Sequence, residues 1–184
     1  GQEVHSSVVG VIGMGRIGTA LARRAAGFGM SIIYSGPNRK PTVERELGAE
    51  YRDLATLLEM ADHVVVTAPL TAATHHLVNE QSFVLMKPTA TLVNVARGPL
   101  VDTDALVAAL QNREIAAAAL DVTDPEPLPA DHPLLRLPNC TVIPHLGSAT
   151  VKTRNAMAEL AARNVALGLA GERMEACANP EVYG

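Results

Sequence analysis

The sequence feature that most constrains the fold is the glycine-rich stretch Gly13-Met14-Gly15-Arg16-Ile17-Gly18. It directly follows an apolar run at 8–12, which predicts a buried strand, and it opens a segment with helical spacing of apolar residues. In this context Gly13 permits a tight turn, Gly15 lets backbone amides approach a pyrophosphate, and Gly18 lets the helix pack closely on the strand. The stretch therefore predicts a dinucleotide-binding loop; the alternative is a glycine-rich turn that holds no ligand.

The rest of the chain alternates between short strands and helices. The predicted strands are 8–12, 31–34, 63–67, 91–95, 115–122 and 141–143, and the predicted helices are 17–28, 43–47, 53–60, 79–86, 104–111 and 149–169. This order predicts an α/β fold of Rossmann type, a doubly wound parallel sheet with helices on both faces. We predict a nucleotide-binding domain at 1–148, and at 149–184 a long helix capped by Ser148 and a loose tail or arm.

Composition excludes several classes of protein. Hydrophobic residues make up 48% of the chain and aromatic residues 3%, so the core must be built from Ala, Val, Leu and Ile, which suits a parallel sheet. The net charge is −4 and the basic residues are scattered, which argues against nucleic-acid binding. No apolar run approaches membrane-spanning length. No charged-then-apolar pattern is seen before Val8, so nothing in these residues indicates secretion, although a longer parent chain could carry such a leader. With only two cysteines, we expect a reducing, cytoplasmic environment.

The loop after the second predicted strand bears on the choice of cofactor. It contains Ser35, Gly36, Asn38, Arg39 and Lys40. A site that prefers NAD would place Asp or Glu here to hold the ribose 2′-hydroxyl, but the sequence has no acidic residue between Glu3 and Glu44. Arg39 or Lys40 could pair with a 2′-phosphate, so the loop favours NADP(H) over NAD(H). The alternative is a basic turn that faces water.

Three polar residues follow three successive predicted strands, where open α/β sheets bind ligands. They are Arg97, Glu126 and His145. Reduction of a ketone leaves negative charge on oxygen, so it needs a proton donor, for which His is suited, and a local cation such as Arg. A carboxylate beside the His favours the imidazolium. Taken alone, each residue also has a simpler interpretation: Arg97 as a surface arginine, Glu126 as a charged loop residue and His145 as a helix-capping histidine. Asp121 either contacts the nicotinamide ribose or simply ends a strand, and no metal site is predicted.

Five stretches together carry a family resemblance. They are GVIGMGRIG, VNVARGPLVD, ALDVTDPEPLP, HPLLRLPNCTVIPHLGSAT and KTRNAMAELAARN. In this order, over about 8–169, the chain resembles the D-isomer-specific 2-hydroxyacid dehydrogenases, and most closely the glyoxylate/hydroxypyruvate reductase branch. The resemblance implies NADPH-dependent reduction of glyoxylate or hydroxypyruvate to glycolate or D-glycerate by a homodimer.

The resemblance also implies a role for each site residue. His145 would be the acid/base, Glu126 its carboxylate partner, and Arg97 the group that binds the substrate carbonyl and carboxylate. The pyrophosphate would meet Gly15, Arg16 and Ile17. The adenosine phosphate would be surrounded by Ser35, Gly36, Asn38 and Arg39, and the nicotinamide half by Pro69, Val95, Asp121 and Gly147.

One departure from the family pattern is large. Family members carry about another domain's worth of sequence ahead of the glycine loop, and that segment forms a substrate domain across the cleft. We therefore interpret the chain as a cofactor domain cut from a full enzyme, in which the helix and tail at 149–184 would return to the absent substrate domain; a naturally short protein is the alternative. We expect the chain to bind cofactor but to turn over substrate weakly or not at all. Two other functions stay open at this point: a relative that acts on another acid, such as D-3-phosphoglycerate with NAD, or a non-catalytic dinucleotide-sensing scaffold.

Overall fold

The structure, a computed structural model, describes residues 3–184, so the first two residues of the predicted nucleotide-binding domain lie outside the described residues. The chain divides into two compact units, the first ending at Pro144 and the second running from His145 to Gly184. The division between 148 and 149 that we predicted from the sequence stays a prediction.

The first unit is built on a parallel sheet. Within residues 3–144 its strands are β1 Val8–Ile12, β2 Ser31–Ser35, β3 Glu50–Tyr51, β4 His63–Val66, β5 Thr91–Asn94, β6 Ala117–Leu120 and β7 Cys140–Val142. They lie in the order β3-β2-β1-β4-β5-β6-β7, and each neighbouring pair is parallel. This order confirms the predicted doubly wound sheet, and its direction reverses between β1 and β4.

Five helices connect these strands. They are α1 Arg16–Gly27, α2 Pro41–Leu47, α3 Leu54–Met60, α4 Glu80–Leu85 and α5 Thr103–Gln111. The last three begin at side-chain caps, because Asp53, Asn79 and Asp102 each accept a hydrogen bond from a backbone N–H three residues later. The bonds from the Thr56 N–H and hydroxyl lower the pKa of Asp53. Such short helices depend on these caps and on the buried face that each presents to the sheet.

Alternation along β1 separates two buried clusters. Val9 and Val11 pack in the cluster that contains residues of α1 and α2, and Ile12 packs in the cluster that contains residues of α3, α4 and α5. Because successive side chains of a strand point to opposite faces, helices cover both sides of the sheet. Gly10 is needed in this strand, since a Cβ there would lie 2.7 Å from Leu57 Cδ2.

Two differences from the predicted elements concern the sheet. β3 was not predicted; it has two residues, too few to show alternation, and it pairs through Ile33 with Glu50 and Tyr34 with Tyr51 at one edge. The alanine-rich strand was predicted at 115–122 and is confirmed in its central part as β6. Its side chains alternate between half-buried and buried positions in the middle of the sheet, so tertiary packing overrides the helical propensity of alanine.

The second unit contains α6, Val151–Leu169. Its N-cap is Thr150, whose hydroxyl accepts from the Thr153 N–H at 3.1 Å, so the predicted Ser148 cap is wrong. After α6 the chain folds back onto this helix, where Asn164 exchanges two hydrogen bonds with the backbone of Ala176. That this stretch is an arm towards a further domain stays a prediction. Over the described residues, no helix has both the length and the hydropathy needed to cross a membrane.

Candidate functional site

The glycine loop between β1 and α1 is held by contacts that leave no room for side chains at two positions. Gly13 has φ +100°, its N–H donates to the Ser35 carbonyl at 2.9 Å, and a Cβ there would lie 2.6 Å from Ala68 Cα. A Cβ on Gly18 would lie 2.4 Å from the Gly13 carbonyl oxygen. Both glycines are therefore required by the fold itself, and Ser35 contributes its carbonyl to the loop.

Gly15 is different, because the fold does not require a glycine there. A Cβ built on Gly15 meets no heavy atom of the described chain within 4 Å. Gly15 is also the N-cap of α1, and no side chain in the described residues caps this helix. An open glycine at a helix start that lacks a side-chain cap fits an anionic group such as a pyrophosphate. The residues present thus fit the predicted dinucleotide.

The loop lies where the strand order reverses, which is the usual ligand position in open α/β sheets. Thr67 follows β4, the strand beside β1, and its hydroxyl donates to the Gly13 carbonyl at 2.6 Å. Thr67 therefore fixes the glycine loop from the other side of the switch point. Sequence reasoning missed this residue; the available signal was a single hydroxyl at the end of the apolar stretch HVVV.

Two cavities adjoin at the glycine loop. One of about 180 Å³ is lined by Gly13, Met14, Gly15, Gly36, Pro37, Asn38, Lys40, Thr67 and Pro69. One of about 630 Å³ is lined by Gly15, Arg16, Ile17, Thr67, Ala68, Pro69, Leu70, Val95, Ala96 and Arg97. Since Gly15, Thr67 and Pro69 line both, the two cavities form one cleft along the carboxyl ends of β1, β2, β4 and β5. Most predicted cofactor residues border this cleft.

Arg39 has a protein partner in the structure. Glu44 on α2 receives two hydrogen bonds from it, from Nε at 3.1 Å and from Nη2 at 2.9 Å. Tyr34, buried on β2, donates its hydroxyl to the same carboxylate at 2.6 Å. These bonds from Arg39 and Tyr34 hold the pKa of Glu44 below its usual value. No acidic residue lies between Glu3 and Glu44 in the sequence, but Glu44 itself folds back to the loop and binds Arg39.

Arg97 lies just beyond β5 and is exposed to the 630 Å³ cavity. Its backbone is fixed by Asn94, which is only 1% exposed: the Asn94 amide nitrogen donates to the Arg97 carbonyl at 2.9 Å, and its oxygen accepts from the Ala96 N–H at 3.1 Å. Arg97 Nη1 donates to the Ala96 carbonyl at 2.6 Å. Asn94 was not predicted, although an amide at the end of the apolar strand TLVN is unusual enough to be a signal.

The loop after β6, the strand next to β5, carries Glu126. Glu126 is exposed, and its carboxylate accepts from the Thr123 N–H at 3.3 Å. Thr123 in turn contacts the residue after Arg97, since a Cβ on Gly98 would lie 1.9 Å from the Thr123 carbonyl oxygen. The structure therefore brings the loops of Arg97 and Glu126 into contact. Asp121 is buried directly after β6, and its N–H donates to the Asn94 carbonyl at 2.9 Å.

The last two predicted site residues, His145 and Gly147, belong to the second unit, where both are exposed. His145 has φ +52°, in the left-handed region that residues other than glycine adopt rarely and that is often found at functional sites. The convergence of His145 with Arg97 and Glu126 stays a prediction. Across residues 3–184, no three His, Cys, Asp or Glu side chains are grouped so that they could hold a metal ion.

Comparisons with known proteins add to this geometry. Residues 1–147 match the family described as D-isomer specific 2-hydroxyacid dehydrogenase, NAD binding domain. The chain is 50% identical over 185 residues to glyoxylate/hydroxypyruvate reductase B of Citrobacter koseri, covering 100% of this chain and 57% of the relative. It is 50% identical over 182 residues to glyoxylate reductase of Thermococcus onnurineus, covering 99% and 54%.

Solved structures show the same likeness. A crystal structure of a Thermus thermophilus protein superposes with a TM-score of 0.89 at 46% identity, covering 95% of this chain and 54% of that one. The chain thus spans a little over half the length of the relatives that it matches.

Proposed function

Because this chain belongs to the D-isomer-specific 2-hydroxyacid dehydrogenase family, we propose that it carries the cofactor-binding machinery of a reductase that acts on glyoxylate or hydroxypyruvate. One observation carries the proposal most directly: Arg97 lines the same cavity as Gly15, Arg16 and Ile17 of the glycine loop. A cation suited to a keto acid thus borders the space beside a loop suited to a dinucleotide. The names of the Citrobacter and Thermococcus relatives support the choice of substrate.

In this proposal each residue has a distinct task. When bound, the nicotinamide cofactor supplies the reducing equivalent. Arg97 binds the carboxylate and the keto oxygen of the substrate through its planar fork of N–H donors. His145 gives a proton to the oxygen as negative charge develops on it, and Glu126 favours the imidazolium form and orients its ring. Glycine-loop residues Gly15, Arg16 and Ile17 hold the pyrophosphate, with Pro69, Val95, Asp121 and Gly147 around the nicotinamide half.

NADP(H) is the proposed preferred cofactor. Support comes from the loop 36–40, where Gly36, Asn38 and Lys40 line the cavity beside Gly13. Lys40 is one of the lining residues, and Arg39, the residue before it, keeps part of its guanidinium unused by Glu44. A 2′-phosphate would meet two cations here, whereas the 2′-hydroxyl of NAD(H) would find no carboxylate among residues 35–40.

Cofactor titration and a turnover assay test the proposal on the 184-residue chain. We expect NADPH to bind and to bind more tightly than NADH. We also expect hydroxypyruvate-dependent NADPH oxidation to be weak or absent compared with the full Citrobacter koseri relative under the same conditions, because the chain spans 57% of that relative. Failure to bind either cofactor would contradict the proposal, and turnover equal to that of the relative would contradict the expected weak activity.

The assembly and location of the protein complete the proposal. We expect a homodimer, which is what the resemblance to the family implies. A mass measured by light scattering that equals one chain at micromolar concentration would contradict it. A cytoplasmic location is consistent with Cys140 and Cys177, which are both free thiols.

A further inference from the structure

The loop 36–40, which borders the cleft, is fixed by hydrogen bonding to a buried tyrosine, Tyr34. The Tyr34 hydroxyl accepts from the Lys40 N–H at 2.6 Å and donates to Glu44 at 2.6 Å. Tyr34 is fully buried on β2, so this hydroxyl is a fixed point of the fold. Burial and the hydrogen bond to Glu44 raise the pKa of Tyr34, which keeps its proton available for that bond. Lys40, which is one of the residues that line the cleft, is thereby anchored through its backbone.

Glu44 extends this anchor to the guanidinium of Arg39. The Glu44 side chain is only 18% exposed, whereas the Arg39 side chain is 66% exposed. The two-point contact uses Nε and Nη2, so the Nη1 end of Arg39 is not used by Glu44. Below the guanidinium lies the Tyr51 ring, with Cζ 5.9 Å from its centroid, and the Tyr51 hydroxyl donates to the Gly36 carbonyl at 3.2 Å. An arginine has five N–H donors, so one carboxylate leaves it able to bind a second anion.

We infer that Glu44 is a positioning residue for cofactor selection: it holds Arg39 so that the unused edge of the guanidinium receives the 2′-phosphate of NADP(H). The inference rests on the proposed NADP(H) preference. A free arginine side chain loses conformational entropy when it binds a phosphate, and an arginine already fixed by a carboxylate loses less. Glu44 therefore helps the cofactor that carries the 2′-phosphate and leaves the other one unaffected.

The test is a titration of the chain and its variants with NADPH and with NADH. In Glu44→Ala we expect the Kd for NADPH to rise about 10-fold and the Kd for NADH to change less than about 2-fold, since only the 2′-phosphate reaches Arg39. Glu44→Gln keeps an acceptor for Tyr34 but loses the charge, so its NADPH affinity should fall between that of the unaltered chain and that of Glu44→Ala. Glu46→Ala is the matched control, because Glu46 is exposed on the same helix and pairs with Arg23.

A double-mutant comparison separates positioning from a general effect on folding. If Glu44 acts through Arg39, Arg39→Ala and the double variant with Glu44→Ala should bind NADPH within about 2-fold of each other. Equal losses for NADPH and NADH in Glu44→Ala, or tighter NADPH binding, would overturn the inference while leaving the NADP(H) preference in place. If the unaltered chain shows no preference for NADPH, both the proposed preference and the role of Glu44 fall.

Discussion

The two ends of the cleft are built in different ways. At the glycine end the surface offered to a ligand is backbone, and Gly13 and Gly18 are fixed because side chains there would meet backbone atoms 2.6 Å and 2.4 Å away. At the arginine end the proposed functional groups are the tips of exposed side chains, Arg97 and Glu126, and hydrogen bonds from Asn94 and Thr123 hold their loops. A local sequence motif specifies the first kind of site, whereas the second needs support from residues that carry no chemistry themselves.

The largest expected effect tests whether the arginine end depends on close contact between its two loops. Gly98→Ala places a Cβ 1.9 Å from the Thr123 carbonyl oxygen, so the loop of Arg97 must move away from the loop of Glu126. We expect a loss of about 3 kcal/mol in the free energy of unfolding, measured by urea denaturation. Gly27→Ala is the control, since a Cβ there meets no heavy atom of residues 3–184 within 4 Å. Equal stability of the two variants would contradict the proposed support.

A somewhat smaller effect is expected at Asn94, the buried residue under Arg97. Asn94→Ala leaves the Ala96 N–H and the Arg97 carbonyl without their partner in a buried setting, which we expect to lower the free energy of unfolding by about 2 kcal/mol. Asn112→Ala, at the exposed end of α5, should change it by less than about 0.5 kcal/mol. Similar urea midpoints for both variants would show that Asn94 does not support the loop.

These two sites show what the sequence could and could not reveal. The glycine loop was predictable because strand, turn and helix are contiguous, so one short stretch carries the whole signal. Asn94, Thr67 and Glu44 were missed because their partners lie elsewhere: Thr67 is 54 residues from Gly13, and Glu44 reaches Tyr34 only after α2 turns the chain back. The cap of α6 is a similar case. Ser148 and Thr150 both carry a hydroxyl that could cap a helix, and only the backbone geometry shows that Thr150 does so.

At the glycine end the sharpest test uses the glycine that the fold does not need. Gly15→Ala should leave the melting temperature nearly unchanged, because its Cβ enters open space. The same methyl group would occupy the position where a pyrophosphate approaches the backbone, so we expect the Kd for NADPH to rise about 10-fold. Gly18→Ala, in contrast, should lower the melting temperature, since its Cβ would clash with the loop. If Gly15→Ala binds NADPH as tightly as the unaltered chain, the cofactor does not approach at this glycine.

The smallest change in stability is expected at the amino ends of the strands, which lie opposite the cleft. A residue there also serves as a control for both ends of the cleft. Asp62, just before β4, accepts from Lys87 Nζ at 2.8 Å and from the Val8 N–H at 2.9 Å. Partial burial alone would raise the pKa of Asp62, but these two hydrogen bonds outweigh burial, and the pKa lies below its usual value. A carboxylate with a lowered pKa in the folded state stabilises the fold above its unfolded pKa of about 3.9 and loses that contribution as the pH falls further.

Asp62→Asn should therefore lower the free energy of unfolding by up to about 1 kcal/mol at pH 6, and the gap from the unaltered chain should narrow towards pH 3. Glu59→Gln, at an exposed position on α3, is the control and should show no gap at either pH. NADPH affinity should be the same in all three proteins, since the strand ends that border the cleft are those opposite Asp62. A difference in unfolding free energy that widens on acidification would mean that the Lys87 and Val8 bonds do not favour the ionised carboxylate. A loss of NADPH affinity would mean that the amino and carboxyl ends of the strands are coupled.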